Sequence, residues 1–434
     1  AYIIEISALR DLDGEELCAY QLRVDTAPAK ATIVVDDDLA QCANADSHSL
    51  HAAAYAVIDG GTIDICDGLY AEYTSVTAPD GSFSLIGRNR AGVLIRSADP
   101  NRQAVSGSPR SSSRNQARIA LENLTLQSQG DPRDGSTGSF SISRVAGITD
   151  VTVESAPGEA RLPGRLDIFT DGTVLDGLTM TAGDTALSIK ADNVTVRNSS
   201  FTGRPGTIKA GFSDNLLLED NTATFERVSN ASFYVTVKDS SGLRMLNNDL
   251  TITADDPPLF PQEEPSIAIE DLGNSATGTI VRGNTVKTSV AGLYVDLKNA
   301  GANIAVEQNR FQFTAPYGGV PLDLITTRGA KTGSLLMRNN IFHGATGFDG
   351  GAVKIRGTER FTSIDIINNS WWATPPDPDA PELRCNGCAM LLVSPFDQDL
   401  TGSLPVNFIN NILIVWSSSS TTPAAALNIP GGPT

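Results

Sequence analysis

Three stretches of the chain, TIVRGNTV at 279–286, IAVEQNRF at 304–311 and LLMRNNIF at 335–342, share one side-chain pattern. Core-type residues occupy the first and third positions, an Asn stands at the sixth, and an apolar residue stands at the eighth. The pattern occurs in seven segments, and their Asn residues are Asn221, Asn248, Asn284, Asn309, Asn340, Asn369 and Asn411. Successive Asn residues lie 25 to 42 positions apart, so a short constant motif alternates with insertions of variable length.

This repeat has a direct structural interpretation. Alternation with a period of two predicts a strand with one buried face, and the Asn predicts a tight bend in left-handed backbone geometry. Bends repeated in every copy stack Asn on Asn, each amide donating to the next, at the strand spacing of ~4.8 Å. Variable insertions then leave the stack at fixed corners. The sequence therefore predicts an all-β parallel β-helix with an asparagine ladder.

A second apolar-alternating segment precedes each ladder strand. These segments are 187–190, 207–209, 234–238, 267–270, 293–296, 322–324, 353–356 and 391–393, with weaker copies of the repeat at 173–180, 119–126 and 84–96. An eighth ladder copy has Ser199 at the Asn position. Together the copies predict about ten to twelve coils in the solenoid.

The residues before the first coil predict a cap, which a solenoid needs to cover its apolar end. Over 49–58, the apolar residues Leu50, Ala53, Ala54, Val57 and Ile58 fall on one helical face. The two glycines at 60 and 61 are expected to end that helix, and a strand follows at 62–66.

The run VVDDDLAQCANADSHSLHAAAYAVIDGGTIDICDGLYAEY at 34–73 resembles the opening of secreted bacterial right-handed β-helix proteins of the pectin-lyase-like superfamily. In that superfamily a capping helix precedes a Gly-Asp-Thr-Ile strand and a Gly-x-Tyr turn; here Gly61 is followed directly by Thr62. The resemblance implies a Cys42–Cys66 disulfide and a location outside the cell or on its surface. It implies no single activity, because the superfamily includes lyases, hydrolases, esterases, epimerases, tailspikes, adhesins and structural rods.

Charge restricts the partners of the chain. The 434 residues include 32 Lys and Arg against 50 Asp and Glu, a formal net charge of −18. Such a surface repels phosphate backbones, and no basic patch was found in the sequence, so nucleic acid is not an expected partner. No apolar run approaches the ~18 residues that a membrane span requires.

The best candidate for chemistry is the outward face of the strands that precede the ladder strands. Aligning these strands brings Asp296, Asp323, Lys354 and Arg356 together within a coil or two. A uronate lyase needs cations for the substrate carboxylate and a base for the C5 proton, whereas paired carboxylates suit hydrolysis. The alternative is an ordinary solvated sheet face whose charges pair between coils, such as Lys238 with Glu270.

The known catalytic signatures of the superfamily were sought and not found, and only three histidines occur, two of them at His48 and His51. That pair has the spacing of half a metal site, but no third ligand is evident, so no metal site is expected there. No cofactor is predicted. Calcium is one interpretation of the acidic Pro-rich insertions at 255–265 and 375–382 and of the run at 36–38; solubilising loops are the other.

The other three cysteines, Cys18, Cys385 and Cys388, lie outside the implied disulfide. Cys385 and Cys388 enclose an Asn-Gly turn, which predicts a local disulfide that staples a loop. Cys18 is left over, either free or bonded to another chain.

We divide the chain into an N-terminal extension (1–35) with a possible docking strand, a cap with the first coil (36–70), the β-helix body (71–416) and a C-terminal tail (417–434).

The sequence is compatible with two main functions. The first is a secreted structural rod, a filament subunit or adhesin that self-associates through its terminal segments. The alternative is a lyase or hydrolase acting on an acidic polysaccharide. A carbohydrate-binding module would use aromatic platforms, but Trp371 and Trp372 straddle a strand, so one of them is expected in the core.

Overall fold

The computed structural model describes residues 2–6, 20–24, 29–72, 81–97, 105, 119–128, 145–155, 166–182, 185–203, 207–227, 235–254, 265–271, 278–288, 291–297, 303–313, 322–326, 333–344, 351–356, 361–373, 389–394, 406–414 and 425–428. Nearly all of these residues form strands of three long parallel sheets, which the chain visits in turn. The architecture is a right-handed parallel β-helix, as the repeat and the resemblance predicted.

The first sheet contains fourteen described strands, which include all the predicted ladder strands. They are Lys30–Val35, Val57–Ile65, Phe83–Gly87, Ile119–Glu122, Val145–Thr149, Val174–Asp176, Thr195–Arg197, Leu217–Glu219, Arg244–Leu246, Thr279–Arg282, Ile304–Glu307, Gly333–Arg338, Phe361–Ile367 and Val406–Ile409. This count exceeds the ten to twelve coils expected, because the earliest coils lack the ladder Asn that marks the later ones.

The second sheet follows the ladder corner and contains thirteen described strands. They are Gly68–Glu72, Val93–Ser97, Thr125–Ser128, Thr152–Ser155, Thr179–Ala182, Ser200–Gly203, Thr222–Arg227, Asp249–Ala254, Thr285–Thr288, Arg310–Phe313, Ile341–Gly344, Ser370–Ala373 and Ile412–Ile414.

The third sheet contains ten described strands, among them the predicted segments upstream of the ladder strands. They are Leu166–Ile168, Thr185–Ile189, Thr207–Gly211, Val235–Ser240, Pro265–Asp271, Ala291–Leu297, Leu322–Thr326, Gly351–Arg356, Ala389–Ser394 and Ala425–Asn428. The last of these lies within the segment assigned to the C-terminal tail. Near the N-terminus, Tyr2–Ile6 and Tyr20–Val24 pair antiparallel as a separate two-stranded sheet.

The asparagine ladder is formed as predicted. Asn284 Nδ2 donates to Asn309 Oδ1 at 3.0 Å, while Asn284 Oδ1 accepts from Asn248 Nδ2 at 2.9 Å. The same bonds connect every neighbouring pair from Asn221 to Asn411. Ser199 continues the stack by donating its backbone N–H to Asn221 Oδ1 at 3.0 Å. Because these amides are buried, each bond satisfies groups that water does not reach.

The sequence predicted that the ladder Asn itself has the left-handed backbone geometry at the corner. In the structure, the residue before the ladder Asn has it instead. Asn247, Gly283, Gln308 and Asn339 have φ of 53°, 70°, 56° and 58° and precede ladder Asn residues directly. This φ turns the chain from the first sheet to the second within two residues and leaves the following Asn side chain directed into the stack. Local sequence shows that such a bend exists, but not which of two adjacent polar residues has the positive φ.

The interior is filled by aligned apolar side chains. Phe311, Phe342 and Trp371 occupy equivalent positions on three successive second-sheet strands, and their rings stack with centroids 5.2 and 5.4 Å apart. All three are buried, Trp371 completely. The apolar residue two positions after each ladder Asn is therefore a core position, as the sequence predicted.

A short helix covers the first coil, but it ends earlier than predicted. It spans Leu50–Ala56, and the Ser49 side chain accepts a hydrogen bond from Ala52 N–H. Leu50, Ala53 and Ala54 are buried, in agreement with the predicted face. Val57 and Ile58 were wrongly assigned to the helix: they begin the strand Val57–Ile65, and Ile58 is 42% exposed. Pairing with the parallel strand Lys30–Val35 supplies backbone hydrogen bonds that a longer helix would forgo.

Candidate functional site

The outward face of the third sheet carries the predicted site, and strand pairing determines its columns. One column runs through Glu270, Asp296, Ile325 and Arg356, and the neighbouring one through Tyr294, Asp323 and Lys354. Both alignments agree with the sequence prediction for these strands. Asp323 is paired directly with Lys354, whereas Ile325 separates Asp296 from Arg356. The side chains of Asp323 and Lys354 lie outside the part that the structure describes.

The sequence also favours aligning Lys209 with Lys190 and Lys238, and Thr207 with Ser188 and Thr236, and both positions are wrong. Lys209 pairs with Ser188 on one side and Thr236 on the other, and Thr207 pairs with Thr185. This strand pair also has a bulge between Thr185 and Leu187, where its register changes. Lys209 therefore belongs to the neighbouring column, which leads to Tyr294 through Thr236 and Ala268.

Polar side chains on this outward face are unusually buried. Asp167, Ser188, Thr236 and Asp296 alternate with core residues and so point away from the core, yet they are 4%, 9%, 7% and 9% exposed. Outward side chains of the second sheet are mixed: Thr222 is exposed, whereas Gln127 is 3% exposed. The chain between second- and third-sheet strands also varies most, from two residues at 183–184 to fifteen at 374–388, whereas the ladder corners between first- and second-sheet strands hold two. The third-sheet face thus has the burial expected of a cleft.

Carboxylates and cations meet at the centre of this face. Glu270 and Asp296 are paired in register on adjacent coils, which places their side chains at about the strand spacing of ~4.8 Å. Lys238 Nζ lies 3.6 Å from Glu270 Oε1, so the predicted ion pair between coils is present. Tyr294 stands beside Asp296 on the same strand. The site therefore contains side chains that could act in catalysis, Asp296 and Tyr294, together with an ion pair between coils.

The first-sheet face shows what a fully paired charge column looks like. Glu307 is 2% exposed and accepts from Arg282 and Arg338 on the two neighbouring coils, at 2.6 Å from each guanidinium. No carboxylate oxygen of Glu307 is left for a substrate, so we regard this cluster as structural.

The acidic run at 36–38 is also largely engaged by the protein. Asp36 is fully buried and accepts the backbone N–H of Cys42, and Asp37 Oδ2 accepts the Leu69 N–H at 3.0 Å. Asp38 Oδ1 accepts a further backbone N–H at 2.8 Å. One carboxylate oxygen from each residue lies within 4.8 Å of the others, so calcium binding here stays a prediction. The insertions at 255–264 and 374–388 are outside the described residues.

The histidines of the cap do not converge on a metal. His48 Nδ1 lies 3.2 Å from the carbonyl oxygen of Asp36, and the His51 ring packs edge-on against Tyr55 with centroids 5.1 Å apart. Within the part of the chain that the structure covers, no cluster of three or more ligand-type side chains includes a histidine.

The disulfide implied by the resemblance is confirmed: Cys42 and Cys66 are bonded, joining the entry segment to the first coil. Tyr70 reinforces this junction by donating its hydroxyl to the carbonyl oxygen of Cys66 at 2.7 Å. Burial, followed by the nearby carboxylates of Asp37 and Asp36, raises the pKa of this phenol well above its ordinary value. Cys18, Cys385 and Cys388 lie outside the described residues, so the predicted loop staple stays a prediction.

The outward face of the second sheet is a candidate binding surface that the sequence analysis did not identify. Trp371 is fully buried while Trp372 is 54% exposed, which confirms that one of the pair is in the core. On the coil before it, His343 contacts the Trp372 ring with centroids 5.5 Å apart. The sequence contains a pattern that predicts this column, because Gln312, His343 and Trp372 all stand three positions after a ladder Asn.

Comparisons with known proteins agree on the fold. No protein-family model matches the chain, and no curated protein matches it. The catalytic unit of a GH87 α-1,3-glucanase from Streptomyces thermodiastaticus strain HF3-3 superposes with a TM-score of 0.51 at 12% identity, over 91% of this chain and 71% of that one.

Two further solved structures are similar. A GH87 α-1,3-glucanase catalytic domain in complex with nigerose gives a TM-score of 0.53 at 10% identity, covering 92% of this chain and 71% of that one. PfbA, a surface adhesin of Streptococcus pneumoniae, gives 0.45 at 11% identity, covering 83% and 85%. At these identities the likeness to the two glucanase domains establishes a shared parallel β-helix and no shared activity. Among the described residues, no helix is long and apolar enough to cross a membrane.

Proposed function

We propose that the protein is a secreted β-helix that holds an acidic polysaccharide along the outward face of its third sheet and cleaves it. The observation that carries the proposal is the burial of Asp296, an outward-facing carboxylate that is 9% exposed, on the sheet whose flanking connections vary most in length. Titratable groups that are buried on an outward face are typical of functional sites. The Cys42–Cys66 disulfide supports an oxidising location, where such bonds persist.

Two reaction types fit the residues on this face. In a hydrolase, Glu270 and Asp296 would act as the carboxylate pair, since retaining enzymes hold their carboxyl groups roughly 5–5.5 Å apart. In a lyase, Arg356 and Lys354 would neutralise the substrate carboxylate, and Tyr294 or a lysine would take the C5 proton. Asp323 is in register with Lys354 on the neighbouring coil and would be the carboxylate beside it.

The test separates the two reactions by their products. Purified protein is incubated with polygalacturonate and with alginate, following unsaturated ends by ultraviolet absorbance and new reducing ends by a colour assay. For a hydrolase we expect Asp296→Asn to lower the rate at least 100-fold, and for a lyase we expect the same loss with Arg356→Gln, with circular dichroism spectra and melting temperatures little changed. Glu219→Gln, on the first-sheet face, is the matched control and should retain full activity. If Asp296→Asn and Arg356→Gln both keep the rate of Glu219→Gln, the site is refuted, and no product from a panel of acidic glycans would refute cleavage.

A structural role is the second candidate. In the last described coil, Phe408, Ile409 and Ile412 are 37%, 47% and 57% exposed, and their strands are the outermost described strands of the first and second sheets. Exposed apolar groups beside an unpaired strand edge favour association between chains. In this function the protein would be a filament subunit or adhesin, with the segment 1–35 as a second contact.

A further inference from the structure

The second sheet carries a basic-aromatic strip, which we define as Lys287, Arg310, Gln312, His343 and Trp372. Lys287, Gln312, His343 and Trp372 are in register on four successive strands, and Arg310 stands two residues before Gln312. Their side chains alternate with the buried residues Val286, Phe311, Phe342 and Trp371, so they point outward. At the strand spacing of ~4.8 Å, the strip extends about 14 Å along the rod.

Trp372 provides a flat apolar surface at one end of the strip. It is 54% exposed, although the indole next to it in sequence is completely buried, and its contact with His343 is edge-on at an interplanar angle of 73°. Ile341 and Ile412, on the flanking coils, are 49% and 57% exposed. An exposed cluster of this kind beside polar groups is typical of an interaction surface.

The charge of the strip is opposite to that of the molecule. The chain has a net charge of −18, yet no carboxylate occurs among the described outward side chains of the five second-sheet strands from Thr285–Thr288 to Ile412–Ile414. Lys287 and Arg310 are exposed and form no ion pair with a residue that the structure describes. On the first sheet, by contrast, Arg282 and Arg338 are both paired with Glu307. These two cations are thus available to an external anion.

We propose that the strip is a binding site for an anionic polysaccharide, separate from the third-sheet cleft and without turnover. The indole of Trp372 packs on the apolar face of a sugar ring, His343 and Gln312 hydrogen-bond hydroxyl groups, and Lys287 and Arg310 contact carboxylate or sulfate groups. The in-register column aligns the glycan along the rod axis. A single-stranded nucleic acid would also stack on an indole, but two cations on a molecule of this net charge are too few to hold a phosphate backbone.

The experiment measures binding of oligogalacturonate by titration calorimetry, using full-length protein in low salt. An uncharged oligosaccharide of equal length and a single-stranded oligonucleotide are the comparison ligands. Because the third-sheet face would bind and cleave the same ligand, all titrations use the Asp296→Asn protein as the parent. In it we expect Trp372→Ala to weaken binding at the strip about fivefold or more, and Lys287→Glu with Arg310→Glu to remove the binding due to the strip. Arg244→Glu, an exposed arginine on the first-sheet face, is the matched control and should change affinity less than twofold.

Each outcome is decisive for the strip. Affinity that falls with Trp372→Ala and with the double reversal, but not with Arg244→Glu, supports a second site. Affinity unchanged in the strip variants overturns it, whether or not the third-sheet face proves active. Tighter binding of the oligonucleotide, or equal binding of the uncharged oligosaccharide, would also overturn the proposal, since neither fits an anionic glycan site.

Discussion

The ladder asparagines give the sharpest expectation at the scale of single residues. Asn284 is 1% exposed, and its amide nitrogen donates to Asn309 Oδ1 at 3.0 Å and to the Met245 carbonyl at 2.9 Å. Asn284→Ala removes both donations, and it leaves the backbone N–H and one amide hydrogen of Asn248, which both bind Asn284 Oδ1, buried without that acceptor. We expect a loss of about 3 kcal/mol in unfolding free energy, measured by guanidinium denaturation.

Two further variants make the ladder prediction specific. Asn284→Asp keeps the shape and the acceptor but removes the donor toward Asn309, so it should destabilise the protein as strongly as the alanine. Asn407→Ala removes an exposed asparagine whose amide donates to Asp365 at 2.7 Å, and it should cost less than about 1 kcal/mol. Equal losses of unfolding free energy at positions 284 and 407 would contradict a stabilising role specific to the ladder.

Asp176 gives a pH-dependent expectation. A hydrogen bond from Asn198 is the main reason that the pKa of this carboxyl lies below its ordinary value of 3.8; burial opposes it, and the hydrogen bond and charge of Arg197 reinforce it. Because the folded pKa lies below the unfolded one, the contribution to stability is complete above the unfolded pKa and is lost as pH falls through the folded pKa.

The measurement compares Asp176→Asn with the parent protein from pH 2 to pH 7. We expect the variant to be less stable by up to about 1 kcal/mol near neutral pH, with the difference vanishing at the acid end. Asp220→Asn removes a carboxylate without a side-chain bond to any described residue and serves as control. A difference that persists unchanged at pH 2 would show that the carboxylate charge is not responsible.

At the scale of elements, the corner between the first and second sheets is the unit that repeats. Its left-handed residue varies among Asn, Asp, Gly and Gln, which tolerate that geometry unequally. Gly283 has φ of 70°, and a Cβ there would lie 2.3 Å from Asn247 Oδ1 on the preceding coil. Gln308 has φ of 56°, although it lacks the short polar side chain by which Asn and Asp favour the left-handed region.

These two positions predict changes of opposite sign. Gly283→Ala should lower the unfolding free energy by about 1 kcal/mol or more, through backbone strain and crowding against Asn247. Gln308→Asn should raise it by a few tenths of a kcal/mol, because Asn accepts the left-handed region more readily. Thermal melts followed by circular dichroism measure both. A stabilised Gly283→Ala would show that the corner can relax out of this φ.

The same corner explains how far the sequence could predict the structure. Asn221 to Asn411 and the apolar residue after each corner were identifiable because every copy meets the same steric demand. The bulge at Thr185 and the helix end at Ala56 were not, because each depends on pairing with a strand distant in sequence. Columns on the third-sheet face were predicted correctly from Glu270 onward, where the strands share one register.

The exposed face of Trp372 shows a different limit. Alternation predicts that one of two adjacent tryptophans is buried, and ladder spacing assigns Trp371 to the core. Whether Trp372 is covered depends on segments that vary between coils, and local pattern carries no information about these. The same holds for the burial of Asp296, which its column alone does not predict.

At the scale of the whole molecule, the three faces differ in kind. The first sheet pairs Glu307 with two arginines, the second exposes two cations and the Trp372 indole, and the third buries Asp296. A solenoid can divide its tasks in this way because each face presents one repeated position per coil, so a substitution on one face leaves the others in place. Variants of the two proposed glycan sites should therefore act independently.

Assembly is the remaining expectation for the whole molecule, and solution mass tests it. If chains associate through the exposed apolar residues of the last described coil, light scattering should give masses above 45.7 kDa that rise with concentration. Ile409→Lys with Ile412→Lys should return the protein to a monomer, because lysines at an unpaired strand edge oppose pairing between chains. Val174→Lys, at a 38% exposed position on the first-sheet face, is the matched control and should leave the mass unchanged. Deletion of residues 1–28 tests the N-terminal contact separately.

A parent protein that stays at 45.7 kDa at every concentration would contradict the structural role. Glycan cleavage and binding would then be the functions that the structure supports.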